Sequence, residues 1–282
     1  MTKLLCGAPA ADGVRREAAG LAASLGFAPA LAIVRTGSEP DDLAYEKSIR
    51  AACAKCGVEV FTAELPGYTP QDVLVKSVRR VAGDRAVHGV IVMCPRQYDL
   101  GLLGAAIGPG KDVDGMGFME GRGAFPPCTA ESVLSVLDFY GIECAGRRVT
   151  VVGRGALAGA AAARLLEDRG AVVSVCHRGT ENPEELCRSA DILVCAAGKA
   201  GLIGRSRLSP GQTVVDVGIN VLPGGGVCGD VDMAAARDLV AAVTPVPGGV
   251  GAVTPYILAL HTALAAQKLQ IIAKTVDKHV IS

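Results

Sequence analysis

The chain has 282 residues, half of them apolar and a fifth charged, which is long enough for two domains with sizeable cores. Lysine plus arginine equals aspartate plus glutamate at 28 each and no basic block occurs, so a nucleic-acid-binding protein is not expected. The amino-terminal stretch MTKLLCGAPAADGVRRE has no long apolar segment, and no run of about 18 apolar residues occurs elsewhere, so we expect a cytoplasmic protein with no membrane partner.

Strands and helices alternate along the first part of the chain. Apolar runs of strand length occur at 28–35 (APALAIVR), 58–65 (VEVFTAEL) and 88–94 (HGVIVMC). Helical periodicity lies between them, at about 42–56 and about 70–82. This βαβαβ order predicts strands that pair in parallel.

The next segment, 95–126, is rich in glycine and proline and has little periodicity, so we predict a functional loop there. A second α/β series follows a helix at about 129–140. Its strands are predicted at 147–153, 171–177, 190–198 and 213–219, with a helix at about 157–169. Another loop of special composition covers 243–255, and a last helix runs from about 255 toward 273.

The helix at 42–56 contains Tyr45, and Asp41 or Asp42 can cap its start. The residue one turn beyond Tyr45, on the same helix face, is Ile49. An aromatic and an aliphatic residue at helical spacing usually mark a core face. By itself the pair therefore favours packing, and the alternative is a reactive site whose second residue is missing.

The strand at 147–153 runs into GRGALAG and then a helix, as in a dinucleotide-binding turn. Gly153, Gly155 and Gly159 allow a tight turn and close approach of backbone to a pyrophosphate, which the helix amino terminus also attracts. The spacing G-x-G-x-x-x-G is one residue longer than the standard fingerprint. Such a turn can be plain geometry, but its place in a βαβ unit favours nucleotide binding.

The end of the following strand indicates which nicotinamide cofactor is bound. NAD sites usually place an acidic residue there, whereas NADP sites place an arginine. Here the strand ends Cys176-His177-Arg178, and the first acid is Glu181. Arg178 and Arg154 can form a basic pocket for a 2′-phosphate, or both can be ordinary exposed charges. We therefore expect NADP as the cofactor, with NAD as the alternative.

The ten cysteines are scattered, mostly among apolar neighbours, which predicts reduced core residues rather than disulfides. Cys53 and Cys56 form a C-x-x-C, but no second pair accompanies them, so no metal site is expected. His88, His261 and His279 have no partner pattern and are interpreted as structural.

Five loop motifs occur together with Tyr45 and the strand HGVIV. They are PGKDVDG (109–115), PPCTA (126–130), GRGALAG (153–159), DVGIN (216–220) and TPVPGGVGAVT (244–254). In order and spacing the chain resembles the methylenetetrahydrofolate dehydrogenase/cyclohydrolase family across nearly its whole length. KDVDG and TPVPGGVG are each specific, and their joint occurrence makes the resemblance strong.

The resemblance implies two α/β domains. Residues 1–126 and 256–282 would form the folate-binding catalytic domain, to which the carboxy-terminal helix returns, and 127–255 would form a Rossmann-type NAD(P)-binding domain. It also implies a homodimer that acts on a one-carbon derivative of tetrahydrofolate.

Site residues are implied position by position. Tyr45 matches a tyrosine that stacks near the pterin, and Asp114 matches a carboxylate that holds the pterin ring by hydrogen bonds. A carboxylate acceptor suits the donor-rich aminopyrimidine edge of a pterin. Pro247, Gly248 and Gly249 match a loop near the folate and the nicotinamide.

The cofactor side of the resemblance involves the second domain. Gly153, Arg154 and Gly155 match the cofactor phosphate loop of the family, and the other expected cofactor-binding positions are Gly159, His177, Arg178 and Ile219. The family commonly has serine where this chain has Gly155, and its PCTP motif is broken here by Ala130.

Two departures concern the reactive site. The family has Y-x-x-x-K, but the lysine position here is Ile49, and the glutamine that contacts that lysine is replaced by Met93. Both members of a polar pair have thus become apolar together, as expected when leaving one unpaired would cost desolvation.

The departures separate the two reactions of the family. Hydride transfer needs alignment but no obligatory protein base, whereas hydrolysis of the methenyl cation needs positioned acid–base groups. We therefore expect a methylenetetrahydrofolate dehydrogenase with weak or absent cyclohydrolase activity. The alternatives are a bifunctional enzyme in which Lys47, Arg96 or Tyr98 replaces the lysine, a non-catalytic folate- or nucleotide-binding protein, or a dehydrogenase for a related pterin carrier.

Overall fold

A computed structural model describes residues 1–94, 97–223 and 225–280. The chain forms two compact units. Met1–Asp12 with Thr129–Thr254 is called the six-stranded unit, and Gly13–Cys128 with Pro255–Ser282 is called the three-stranded unit.

The elements are numbered in chain order. The strands are β1 (Lys3–Leu4), β2 (Ala30–Thr36), β3 (Glu59–Leu65), β4 (Gly89–Met93), β5 (Arg148–Val152), β6 (Val172–Cys176), β7 (Ile192–Cys195), β8 (Thr213–Asp216), β9 (Asn220–Val221), β10 (Val227–Cys228) and β11 (Ala242–Val243). The helices are α1 (Gly7–Ser24), α2 (Pro40–Cys56), α3 (Gln71–Gly83), α4 (Leu100–Ile107), α5 (Cys128–Phe139), α6 (Ala161–Asp168), α7 (Pro183–Ser189), α8 (Met233–Arg237) and α9 (Thr254–Val280).

The three-stranded unit contains a parallel sheet in the order β3-β2-β4. Every residue of the central strand β2 is buried, which explains the apolar run over its first five residues, ALAIV. The βαβαβ arrangement expected from the sequence is confirmed.

Local sequence explains where α2 begins and ends. Pro40 lies in the first turn, where its missing N–H leaves no helical hydrogen bond unmade. Asp41 and Asp42 follow in that turn, where carboxylates are favoured by the helix dipole. Gly57 ends the helix in the left-handed conformation at φ 72°. The prediction that Asp41 or Asp42 caps the helix is wrong, because Pro40 already belongs to it.

A buried ion network joins α2 to the sheet. Glu46 accepts hydrogen bonds from Arg35 on β2 at 3.0 Å, from Arg50 at 2.9 Å, and from Thr62 on β3 at 2.6 Å. Burial raises the pKa of Glu46, but these hydrogen bonds outweigh it, so the pKa lies below its ordinary value. Because Glu46 follows Tyr45 in the chain, the network fixes the rotation of α2 that orients Tyr45.

The six-stranded unit contains a parallel sheet in the order β1-β11-β8-β7-β5-β6. The chain passes from β5 to β6 on one side and then returns to β7 on the other side. Ligands of open α/β sheets bind at such a switch point, beyond the carboxyl ends of the strands. The expected Rossmann-type arrangement is confirmed.

Both faces of this sheet are covered by core residues. Val151 and Val194 pack into one apolar cluster, whereas their neighbours Val152 and Cys195 pack into another. Successive residues of a strand point to opposite faces, so two separate cores enclose the sheet.

Helix α4 lies inside the segment 95–126, for which the sequence predicts a loop. Its sequence LGLLGAAI is apolar throughout, so there is no helical periodicity to detect. Asp99 caps it by accepting from the Leu102 N–H at 3.1 Å. Gly104 permits close packing, because a Cβ there would lie 2.9 Å from the Gly117 nitrogen. The prediction of a loop over this whole segment is wrong.

The first residues of the chain group with the six-stranded unit. Lys3 of β1 pairs with Ala242 of β11, and Thr2 Oγ1 donates to the Val240 carbonyl at 2.6 Å. These contacts place Met1–Asp12 with the dinucleotide-binding series, whereas the sequence-based limits assign them to the other domain. Strands of two residues are too short to produce a periodic pattern.

The last helix, α9, extends beyond the predicted end near residue 273. Its residues from 255 onward group with 13–128, in agreement with the predicted return of the carboxy-terminal helix. The stretch Thr254–Ala273 is long and apolar enough to cross a membrane by length and composition, but half of it is buried within the protein.

Candidate functional site

Tyr45 and Asp114 are both half-buried in the three-stranded unit and lie near enough for their charges to interact. Burial, then the negative charge of Asp114 and the thiols of Cys128 and Cys53, raises the pKa of Tyr45 well above its ordinary value. Tyr45 is therefore a neutral phenol that can donate a hydrogen bond. The structure thus brings together the two residues that the sequence singles out for the pterin.

Asp114 has an unusual electrostatic setting. Burial and the nearby carboxyl group of Asp112 raise its pKa to about 7. Hydrogen bonds from the thiol and backbone N–H of Cys128, together with the charge of His261, oppose this rise. Asp114 therefore changes charge near neutral pH, which perturbed carboxyl groups in functional sites often do.

The loop that presents Asp114 is tightly constrained. Asp112 is 1% exposed and accepts hydrogen bonds from the N–H groups of Met116 at 3.0 Å and Gly117 at 2.7 Å. Gly115 has φ 70°, and a Cβ there would lie 2.5 Å from the Pro127 nitrogen. Asp112 is thus a structural carboxylate, and only glycine fits at position 115.

Two buried side chains converge on the carbonyl that precedes Asp114. The Val113 oxygen lies 2.8 Å from Nδ1 of His261 on α9 and 3.2 Å from Sγ of Cys128. Sγ and Nδ1 are 3.6 Å apart. The His261 ring packs against Phe125 with 4.7 Å between ring centroids.

The positions of the missing lysine and glutamine are apolar and buried. Ile49 is 0% exposed on α2, and Met93 is 6% exposed at the end of β4. Arg50, the cation nearest to Ile49 in the chain, is bound to Glu46 and to the Val60 carbonyl at 3.0 Å. Its guanidinium is therefore engaged by the network that joins α2 to the sheet.

The three groups considered as replacements for the lysine differ in availability. Lys47 is exposed, as expected for a residue two positions from Tyr45. Tyr98 is buried, and its hydroxyl donates to the Thr69 carbonyl at 2.7 Å. Arg96 lies outside the described residues.

In the six-stranded unit, the glycine-rich turn follows β5. A π-helical turn at Ala156–Ala160 leads into α6, and the Ala160 N–H donates to the Gly155 carbonyl at 3.0 Å. A π-helical hydrogen bond spans one residue more than an α-helical one. The glycine spacing here is one residue longer than in the standard fingerprint, and the π-helical turn accommodates that extra residue.

Two of the three glycines are required by close backbone contacts. A Cβ at Gly153 would lie 2.2 Å from the Ala196 oxygen, and one at Gly159 would lie 2.2 Å from the Gly153 oxygen. Gly155 is exposed, and a Cβ there would meet nothing within 4 Å. This open position leaves room for a phosphate against the backbone, so the turn fits a dinucleotide.

Arg154 and Arg178 follow neighbouring strands at matching positions. Val152 of β5 pairs with Cys176 of β6, and each arginine lies two residues beyond this pair. Both arginines are exposed at the carboxyl edge of the sheet. The structure therefore places the two predicted 2′-phosphate ligands on adjacent loops.

His177 shapes the loop that carries Arg178. Its Nδ1 accepts the Gly179 N–H at 3.1 Å, and its own backbone N–H donates to Thr180 Oγ1 at 2.9 Å. These bonds form a tight turn directly after β6. A direct role of His177 in cofactor binding stays a prediction.

Two carboxylates that no sequence pattern singles out, Asp216 and Asp230, hold the neighbouring loops. Asp216, at the end of β8, accepts from the N–H groups of Gly218 at 2.9 Å and Val231 at 2.9 Å. Burial raises its pKa to about 6. Asp230 accepts a hydrogen bond at 2.6 Å from the N–H of Ala197, which lies in the loop after β7. The motif DVGIN includes Asp216, but the sequence alone does not show that its carboxylate accepts hydrogen bonds from backbone N–H groups.

The remaining predicted positions also lie in the six-stranded unit. Pro247 follows a cis peptide bond and, like Gly248, is exposed, whereas Gly249 is buried. The Gly248 oxygen accepts from the Gly7 N–H at 2.8 Å. Ile219 is 66% exposed, which leaves its side chain available to a ligand.

Two family models match the chain. The tetrahydrofolate dehydrogenase/cyclohydrolase catalytic domain matches residues 5–114, and the NAD(P)-binding domain of the same family matches residues 127–270. The second match covers the glycine-rich turn and both exposed arginines. The six-stranded unit is accordingly an NAD(P)-binding domain.

Relatives and solved structures match over nearly the full length. Bifunctional protein FolD of Carboxydothermus hydrogenoformans is 38% identical, covering 95% of this chain and 99% of the relative. The bifunctional FolD of Campylobacter jejuni is 32% identical with a TM-score of 0.87, covering 95% and 99% of the two chains. FolD of Trypanosoma brucei, solved with NADP and an inhibitor, is 33% identical with a TM-score of 0.85, covering 95% and 98%. With both of its domains matched, the chain belongs to the tetrahydrofolate dehydrogenase/cyclohydrolase family.

Proposed function

We propose that this protein oxidises 5,10-methylenetetrahydrofolate to the 5,10-methenyl form, with NADP as the hydride acceptor. The observation that carries the proposal is the closeness of Tyr45 and Asp114 in a chain of this family. Bound NADP supplies the nicotinamide carbon that takes the hydride. The substrate's own nitrogen lone pair assists its loss, so the protein has to align two carbons and needs no base.

Asp114 and Tyr45 have complementary tasks in this proposal. The ionised Asp114 carboxylate accepts hydrogen bonds from the aminopyrimidine edge of the pterin. Tyr45 stays protonated because burial and the Asp114 charge raise its pKa, so it offers a ring face and a donor together. Above about pH 7 most of Asp114 is ionised and able to act as an acceptor.

The preference for NADP over NAD rests on Arg154 and Arg178. Both are exposed at the carboxyl edge of the sheet, where the adenosine ribose of a Rossmann-bound cofactor lies. The loop that follows β6 places His177 and Arg178 where an NAD site would place an acid. Two guanidinium groups on adjacent loops suit a 2′-phosphate.

The proposal extends to a weak cyclohydrolase step. Hydrolysis of the methenyl cation needs a positioned acid–base group, and Ile49 and Met93 provide none at the positions where the family has lysine and glutamine. Of the described replacements, Lys47 is exposed and the Tyr98 hydroxyl is bound to the Thr69 carbonyl. Neither is arranged to activate water.

A bifunctional enzyme is the second candidate function. It is favoured by the relatives that cover nearly the whole chain, which are named bifunctional. In that case a group other than residue 49 activates the water.

Absorbance measurements on purified protein separate these functions. Mixed with methylenetetrahydrofolate and NADP, a dehydrogenase with weak cyclohydrolase activity should accumulate both reduced cofactor and the methenyl product. Reduced cofactor without methenyl accumulation would support the bifunctional candidate, and binding without any reduced cofactor would identify a non-catalytic binding protein. The same reaction with NAD tests the cofactor preference.

One further expectation comes from the family resemblance alone. A homodimer is proposed on that basis. Sedimentation of the purified protein tests the dimer, because a monomer at micromolar concentration would contradict it.

A further inference from the structure

His261 lies behind the loop that presents Asp114. It is 2% exposed on α9, so water does not surround its ring. Its Nδ1 lies 2.8 Å from the oxygen of Val113, the residue directly before Asp114. The contact therefore acts on the peptide that carries the substrate-binding carboxyl group.

The hydrogen-bond partners determine where the imidazole proton is. A carbonyl oxygen can only accept a hydrogen bond, so the 2.8 Å contact requires a proton on Nδ1 of His261. The same oxygen lies 3.2 Å from Sγ of Cys128, and this thiol also donates to the Asp114 carboxylate. One S–H proton cannot be directed to both acceptors at once.

The stronger donor decides which acceptor the thiol takes. An imidazole N–H is a better donor than a thiol, which is a weak one. A carbonyl oxygen can accept two hydrogen bonds, so His261 does not exclude the Cys128 thiol from the Val113 oxygen, but the bond from His261 makes that oxygen the weaker of the two acceptors open to the thiol. A charged acceptor also binds a donor more strongly than a neutral carbonyl does.

We propose that His261 is a positioning residue for the folate substrate: by donating to the Val113 carbonyl, it fixes the peptide that presents Asp114 and directs the Cys128 thiol to that carboxylate. The inference rests on the proposed function, because it takes Asp114 to be the acceptor for the pterin. The ring itself packs against Phe125, and Lys268 Nζ lies 4.6 Å from the Phe125 centroid.

Two amide variants distinguish positioning from packing. Asparagine at position 261 can place an N–H near the site of Nδ1, whereas glutamine reaches one bond further, toward the site of Nε2. His261→Asn should retain the KM for methylenetetrahydrofolate within about threefold, and His261→Gln should raise it roughly tenfold, the effect of losing one hydrogen bond of about 1.4 kcal/mol. kcat and the KM for NADP should stay nearly constant, because the reacting carbons are unaffected.

A second variant tests the thiol itself. Cys128→Ala leaves His261 in place but removes the donor to Asp114, so it should also raise the KM for methylenetetrahydrofolate. Asp114→Ala gives the largest increase in the KM for methylenetetrahydrofolate that is expected from these variants. An unchanged KM in Cys128→Ala would overturn the proposal, as would equal effects of the asparagine and glutamine variants at position 261.

The infrared S–H stretch gives a readout that does not depend on folate. The band that Cys128→Ala removes is assigned to Cys128. It should shift in His261→Gln, where the thiol returns to the Val113 carbonyl, and stay in place in His261→Asn. A band unmoved in His261→Gln would contradict the inference. Failure of the proposed function would look different, because the unmutated protein would then form no methenyl product while the infrared shift remained.

Discussion

At the scale of single residues, Asp114 is held where both burial and the neighbouring Asp112 favour its protonated form. An exposed aspartate would be ionised at any physiological pH, but it could not exclude water from a bound pterin. The chain thus has a carboxyl group that changes charge near pH 7 at the position where a substrate edge is expected. This arrangement affects stability as well as binding.

Replacing Asp114 by asparagine should stabilise the protein at high pH. Its pKa is about 7 in the folded protein and near 4 in an unfolded chain, so in this interval the folded state binds an extra proton. Stability from this group is therefore highest below about pH 4 and falls as the pH rises toward 7. The Asp114→Asn side chain does not ionise, so the variant does not lose this stability as the pH rises. The thermal midpoint of the variant minus that of the unmutated protein should therefore be larger at pH 8 than at pH 5.

The control for this prediction is Asp238→Asn, because Asp238 is exposed. Its midpoint difference should be nearly the same at both pH values. A constant difference for Asp114→Asn as well would show that the Asp114 carboxyl group titrates like an exposed one.

Arg178 should determine the cofactor preference. Losing a charge-assisted hydrogen bond costs about 1.5–3 kcal/mol, or roughly 10–150-fold in affinity. Arg178→Ala should raise the KM for NADP by a factor in this range and leave the KM for NAD nearly unchanged. Arg188→Ala is the control, since Arg188 is exposed in the same unit but binds the Ser206 carbonyl. Equal kinetics of the unmutated protein with both cofactors would refute the idea.

At the scale of elements, helix α2 is held by an ion network and by apolar packing, and both orient Tyr45. Its buried face contains Ile49, and its Glu46 is bound to Arg50 of the same helix and to Arg35 and Thr62 of the sheet. Removing one partner of such a network leaves a buried charge and typically costs 3–5 kcal/mol. The face that orients Tyr45 is therefore fixed by electrostatics on one side and by apolar packing on the other.

Restoring the family lysine tests that packing. Ile49→Lys alone should lower the thermal midpoint, because position 49 is 0% exposed and burial of an ammonium group is costly. Adding Met93→Gln supplies an acceptor, so the double variant should be more stable than Ile49→Lys and should gain hydrolysis of the methenyl cation. Ile49→Leu controls for the loss of the native side chain. If the unmutated enzyme already hydrolyses the methenyl cation rapidly, the lysine is dispensable in this chain.

The π-helical turn after β5 gives a paired test of two glycines. Gly159→Ala should destabilise the six-stranded unit by about 1–3 kcal/mol, since its Cβ would lie 2.2 Å from the Gly153 oxygen. Gly155→Ala should fold normally, because its Cβ meets nothing and its φ of −61° suits any residue. It should also retain NADP binding, because the family commonly has serine, which carries a Cβ, at this position. Thermal denaturation and NADP titration of both variants measure the two effects separately.

The sequence was sufficient for elements with a strong pattern. β4 and the first five residues of β2 are apolar runs, and the glycine-rich turn has a fingerprint. α4 has no periodicity, and β1 and β11 have only two residues each, so their formation depends on contacts with distant segments. The contact of His261 with Val113 could not be predicted from the sequence, because it joins residues far apart in the chain and no local motif indicates it.

At the scale of the whole molecule, the amino terminus is part of the NAD(P)-binding unit. Leu5 is 0% exposed, and its N–H donates to the Val243 carbonyl at 2.8 Å, whereas Leu4 is 38% exposed. Leu5→Ala should therefore destabilise this unit by about 2–5 kcal/mol and accelerate hydrogen exchange in β11, and Leu4→Ala should do neither. Equal exchange rates in the two variants would show that β1 does not anchor the sheet edge.

The pairing of Lys3 with Ala242 also sets the order in which the molecule can be completed during synthesis. β1 leaves the ribosome long before its partner β11 is translated. The three-stranded unit has the same constraint, because its residues 13–128 await residues 255–282. Neither unit can finish folding as it emerges, and contacts so distant in sequence form slowly. The nascent chain therefore exposes apolar strands such as β2 for most of its translation, and chaperones that bind such segments have a long interval in which to act.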